Sequence, residues 1–148
     1  MITAVVGIVV LALAITVVVV IAKDRGPGPG EVAVAYELAW DRLDFESLYT
    51  LSGDELRDGL DRRGFIAAKR SAYEQQGSLA GLVERAGVQD VASTRDAAAA
   101  ITQVELRDHS VVRNRVEMMR RHGRWQVVAY QLEPPAEAPR SEGPRAGS

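Results

Sequence analysis

Apolar residues recur along this chain with three different spacings, and each spacing predicts a different kind of element. From residue 2 to residue 22 every position is uncharged and most are aliphatic. As a helix rising ~1.5 Å per residue, this run would span roughly 31 Å, about one hydrocarbon core, so it predicts a transmembrane helix. No Lys or Arg precedes it, it is longer than the core of a secretory signal, and "VVIAKD" is a poor cleavage site. An uncleaved signal-anchor is therefore expected over 1–22. "GPGPG" then breaks both helix and sheet, and residues 23–30 read as a linker.

A spacing of three and four follows. Val32, Tyr36, Ala39, Trp40 and Leu43 fall on one face of a predicted helix, whose other side carries Glu37, Asp41 and Arg42. Asp41, Asp44 and Glu46 read as a solvated face and cap. "DFESLYTL" continues as a short helix. In "SGDE", Ser52 and Glu55 have capping-box spacing, which predicts a helical stretch through about Leu60. A third helix starts near Arg63, with Phe65, Ala68, Ala72 and Tyr73 on one face and Gly77 as its stop; "SLAGLVERA" reads as a last helical turn.

After Gly87 the period becomes two, predicting strands at 88–94, 97–107, 111–121 and 124–133. His122-Gly123 suits a two-residue hairpin turn. That turn pairs Arg121 with Arg124, Met118 with Val127, Val116 with Ala129 and Asn114 with Gln131. A three-residue loop at 108–110 would put Leu106 opposite Val112 and Val104 opposite Asn114, keeping the apolar faces together. The inner face then carries Thr102, Asn114 and Gln131, with Trp125 beside the last two. The outer face carries Arg113, Arg115, Glu117 and Arg121, together with an apolar trio, Val128, Tyr130 and Leu132. The expectation is an α+β domain over 31–133: about three helices packed on a curved four-stranded antiparallel sheet, behind the N-terminal transmembrane helix. Residues 134–148 lack large apolar side chains and are expected to be a disordered tail.

Composition changes this picture in few places. The 148 residues contain no cysteine, which excludes disulfides, thiolate metal sites and cysteine nucleophiles. The net charge of −2 gives no overall pull toward nucleic acid. The charge is polarised: residues 107–124 hold six arginines against two acids, and residues 31–61 hold nine acids against two arginines. Arg113, Arg115, Arg121 and Tyr130 are therefore the surface-interaction candidates. Lys23 and Arg25 follow the apolar run, so the positive-inside rule places the domain on the cytoplasmic side of the cell membrane, behind a single span.

The stretches "AYELAWDRLDFESLYTLSGDELRDG" and "RRHGRWQVVAYQLE" resemble the nuclear transport factor two-like (cystatin-like α+β) superfamily. The resemblance covers roughly residues 31–133, and it looks most like the small, membrane-anchored, uncharacterised members common in actinobacteria. The resemblance implies a cone: the sheet wraps the helices and leaves a pocket at its wide end, and domains often pair through the sheet. The outer apolar trio is therefore a candidate for cover by a second copy, as a homodimer through the sheet, or by the C-terminal tail. Enzymes of the superfamily, ketosteroid isomerases and polyketide cyclases, need acid–base groups inside the cone. His109 and His122 fall in hairpin loops, and the inward strand positions Thr102, Asn114 and Gln131 include no carboxylate, so they can hydrogen-bond a ligand but not move protons near neutral pH. No catalytic residue, metal or cofactor is expected. The reading is a non-catalytic, membrane-tethered binding or assembly module. Its partner is a small apolar ligand or a cytoplasmic protein, and its pocket candidates are Asn114, Gln131, Trp125, Thr102, Tyr36 and Trp40. The alternative is a pocket enzyme of the isomerase or cyclase type.

Overall fold

The computed structural model describes residues 26–74 and 80–133. The apolar run, the Gly77 stop and the tail lie outside the described residues. No helix among those described is long and apolar enough to cross a membrane.

Three helices precede four strands: α1 (Pro29–Asp41), α2 (Phe45–Leu51), a 3-10 turn (Asp54–Leu56), α3 (Arg62–Glu74), then β1 (Val83–Ser93), β2 (Ala97–Leu106), β3 (Val111–Arg121) and β4 (Arg124–Leu132). The strands form one antiparallel meander in the order β1-β2-β3-β4. The expected linker ends earlier than its composition suggests, because Pro29 opens α1 and its fixed φ suits a first helical turn. Glu31 accepts the Gly28 amide (2.8 Å) and closes that end. At Gly30 α1 crosses β1 at ordinary contact distance: a Cβ there would meet Val91 at 3.4 Å and Val88 at 3.5 Å.

Asp44 caps α2 by accepting the Ser47 amide and hydroxyl (3.1 and 2.6 Å), and these bonds hold its carboxyl below the usual range. The Ser52–Glu55 capping box does not form. Gly53 is the cap of the 3-10 turn, and Ser52 is instead buried, in a parallel bridge to Val127. Glu55 turns away to pair with both terminal nitrogens of Arg121 (2.9 and 2.5 Å). On α3, Phe65 is buried and Tyr73 packs on the core, but the expected Ala68 and Ala72 are exposed. Within "SLAGLVERA" the expected last helical turn gives way to sheet: β1 begins at Val83, because its pairing with Leu106 satisfies that backbone better than an isolated turn.

The core is filled by Phe65, Leu48, Met118, Val116 and Val127, all less than or about 2% exposed. Each such burial contributes roughly 1.5–3 kcal/mol. The β2–β3 register differs from expectation by two residues: Val104 faces Val112 and Thr102 faces Asn114. The three-residue loop is 107–109, with His109 at φ 66°, and a shift of two preserves the faces. The β3–β4 turn is as expected at its start, with Arg121 opposite Arg124 and Met118 opposite Val127. Beyond that the pairing slips, because Val128 is an extra residue: Glu117 faces Ala129, Val116 faces Tyr130 and Asn114 faces Leu132. Two further register shifts, at Val83/Arg85 and Val88/Asp90, lie in β1. Bulges of this kind bend and twist a sheet, and here they wrap it around the helices.

Candidate functional site

The Val128 bulge decides what faces inward. It turns Tyr130 from the expected outer face onto the α1 side of the sheet. It also moves Gln131 from its expected place opposite Asn114 to a position opposite Arg115, where it is exposed. The expected Asn114–Gln131 pair therefore does not exist. The outer apolar trio loses Tyr130, and Leu132 sits at the strand end, 67% exposed.

Asn114's real partner is Glu37, which the helical pattern had placed on the polar side of α1. Glu37 is 5% exposed. It lies one turn beyond Ala33 and next to Tyr36, at the margin of the buried arc. Its Oε1 accepts from the Thr102 hydroxyl (2.5 Å) and from Asn114 Nδ2 (3.0 Å), and its Oε2 accepts from the Tyr130 phenol (2.8 Å). One carboxylate thus gathers donors from β2, β3 and β4. It makes no ion pair among the described residues. The Tyr130 phenol is pushed well above its ordinary range, first by burial and then by the adjacent Glu37 charge and hydrogen bond. Burial also raises Tyr36, which lies in the core rather than at a ligand surface.

Glu37, Asn114 and Tyr130 line a cleft of about 250 Å³ between α1, α3 and the sheet. Trp40 and Tyr73 form an aromatic wall, with ring centroids 5.5 Å apart, and Leu82, Val104 and Val112 are among its apolar lining. Asp41 also lines it and is not a merely solvated helix residue: its Oδ1 accepts the Leu82 and Val83 amides (2.8 and 2.9 Å) and ties the start of β1 to α1. Of the six sequence-predicted pocket residues, the structure brings Asn114 and Trp40 into the cleft and Thr102 directly behind it. Tyr36 packs beside it, against Tyr130 at 5.3 Å. Gln131 is outside it, and Trp125 lines a different depression, of about 520 Å³, with Tyr49 and Arg57. That depression and other larger ones lack a buried hydrogen-bonded charge like Glu37.

The surface candidates are largely engaged. Arg121 is held by Glu55, Arg115 pairs with Glu117 on the same strand face (2.9 Å), and Arg113 is half-buried. His109 and His122 sit in turns with φ of 66° and 51°, as expected for hairpin loops. Among the described residues, ligand atoms of Glu84, Glu105 and His109 lie within 4.8 Å of one another. All three side chains are solvent-accessible, and no buried partner orients them.

No protein-family model matches the chain, and no curated protein matches it. Solved structures described as NTF2-like are similar to this chain over about two thirds of its length. One, from Campylobacter jejuni, is provisionally described as an NTF2-like transpeptidase; it is 13% identical, with a TM-score of 0.49, over 68% of this chain and 97% of that one. Another, from Silicibacter pomeroyi, is described as an NTF-2 like protein of unknown function; it is 16% identical, with a TM-score of 0.46, over 69% of this chain and 90% of that one. Both likenesses concern the chain path, and neither carries chemistry to this protein.

Proposed function

We propose that this chain is a membrane-tethered module that binds a small molecule in the Glu37 cleft without transforming it. The observation that carries the reading is a buried carboxylate at the wall of a cleft whose remaining surface is mostly aromatic and aliphatic. Such mixtures, a few fixed polar groups in an apolar hollow, are typical of ligand sites. Three of the roughly four lone-pair positions of Glu37 are occupied by protein donors, which leaves about one for a ligand. The tether rests on the uncharged run at 2–22, and the cytoplasmic side on Lys23 and Arg25.

The test is native mass spectrometry of the full chain released from detergent. A retained small molecule is expected, and Leu82→Trp, which plugs the cleft from an exposed position, should eliminate it. Retention that is indifferent to Leu82→Trp would put the ligand elsewhere. Protease added outside intact cells should spare the domain.

One observation favours a second reading. Glu37 and Tyr130 together supply the inward acid–base pair that the strand residues lack, as a pocket enzyme would need. Turnover of a cleft-bound compound, abolished by Glu37→Gln while binding survives, would select that reading over the first.

A further inference from the structure

The cleft's chemistry is one-sided in charge. Two carboxylates, Glu37 and Asp41, line it, and among the described residues no lysine, arginine or histidine does. Three aromatic rings, Trp40, Tyr73 and Tyr130, share the lining. Oxygens with spare acceptor capacity belong to its lining residues: the second lone pair of Glu37 Oε2, the Tyr130 phenol oxygen, and Asp41 Oδ2, which carries no hydrogen bond among the described residues. The nearby ammonium of Lys69 already uses one of these rings, lying 5.7 Å from the Trp40 centroid, but it is not part of the lining.

From this arrangement we infer that the cleft's ligand is a small organic cation, a primary or secondary ammonium on an apolar body. The inference rests on the binding reading above. An ammonium offers two or three N–H donors to an acceptor-rich wall, and its charge offsets two carboxylates that lack a cationic partner there. The faces of tryptophan and tyrosine attract the same charge through their negative quadrupole. A carboxylate or phosphate ligand would meet like charge with no cation to receive it. A cleft of about 250 Å³ suits a body of roughly one ring or a short branched chain.

The experiment titrates the full chain in detergent with three probes of nearly equal shape: benzylamine, benzyl alcohol and benzoate. Binding is read by calorimetry and by fluorescence of Trp40 and Trp125. Benzylamine should bind ~10-fold or more tighter than benzyl alcohol, with benzoate weakest. Glu37→Gln should weaken benzylamine by about the same factor and benzyl alcohol by less, narrowing the gap between the two. If Glu37→Gln does not fold, Asp41→Asn, which keeps the Oδ1 acceptor for the two amides, carries the same charge test. Benzyl alcohol or benzoate binding as well as benzylamine would overturn the cation inference and leave the cleft a binding site. No binding by any of the three would overturn the cleft reading as well.

Discussion

Replacing Glu37 with leucine removes the acceptor shared by Thr102, Asn114 and Tyr130, and the three donors lose it unequally. Asn114 is 6% exposed, and its amide has no other recorded acceptor, so it bears the full cost of an unsatisfied buried donor, about 1–3 kcal/mol. Thr102 is 0% exposed, but its hydroxyl already lies 3.3 Å from the Asn114 carbonyl oxygen and can turn to it, which limits its loss to about 1 kcal/mol. Tyr130 is 37% exposed and can find water. Glu37→Leu should therefore destabilise the domain by about 2–4 kcal/mol, measured by urea unfolding of the full chain in a non-denaturing detergent with tryptophan fluorescence. Glu37→Gln should cost about 1 kcal/mol or less, because its carbonyl still serves Thr102 and Asn114 while its amide donates to the Tyr130 oxygen. Adding Asn114→Leu to Glu37→Leu should recover about 1–3 kcal/mol, since the orphaned donor is removed with its acceptor. Glu37→Leu within about 0.5 kcal/mol of the parent, or strict additivity of the two leucines, would refute the network as drawn.

Deleting Val128 should erase the β4 bulge yet keep Tyr130 opposite Val116 on the α1 side and Gln131 opposite Arg115; a Tyr130 phenol that still resists alkaline ionisation would report the retained facing, and its loss would refute Val128 as the extra residue. In the parent, absorbance titration should show Tyr130 and Tyr36 resisting ionisation above pH 10. Both phenols are raised on folding, so their contribution is fully present below pH 10 and is lost as pH rises beyond it; Tyr130→Phe should flatten the alkaline fall in stability. Glu55 has the opposite sign: Arg121 holds its carboxyl at about 2 against 4.5 unfolded, so its contribution is present above 4.5 and is lost between there and about 2. Glu55→Gln should remove that acid-side slope, with its thermal midpoint below the parent's at neutral pH and converging on it near pH 2.

The meander, the His122-Gly123 hairpin and the α1 stripe are legible in the chain because each is a local periodicity. The cleft is not, for two reasons that compound. A single extra residue, Val128, inverts everything after it, and nothing in "WQVVAYQL" marks which valine is extra; the choice is made by sheet curvature. Glu37 is hidden by its chemistry. Helical geometry alone puts it one turn past Ala33 and three residues before Trp40, within reach of the buried face, but charge argues for solvent unless partners are known. Those partners, Thr102, Asn114 and Tyr130, come from strands whose register the sequence leaves open by one or two residues. The usable signal was the pair of polar residues, Thr102 and Asn114, at inward positions of adjacent strands: two buried polar groups on one sheet face ask for a third group from the helix above.

Glu37 reaches its three donors across 65, 77 and 93 residues of chain. Separations of that size make these contacts among the most expensive in loop closure, so they form late, after the local hairpins. Until then the carboxylate keeps its hydration and opposes the docking of α1. A one-residue slip of β2, β3 or β4 would turn a donor to the opposite face, and a helix docked on the misregistered sheet would bury an incompletely satisfied charge. The glutamate should therefore penalise compact states whose strands are out of step, favouring closure of α1 over a sheet whose three strands are in register.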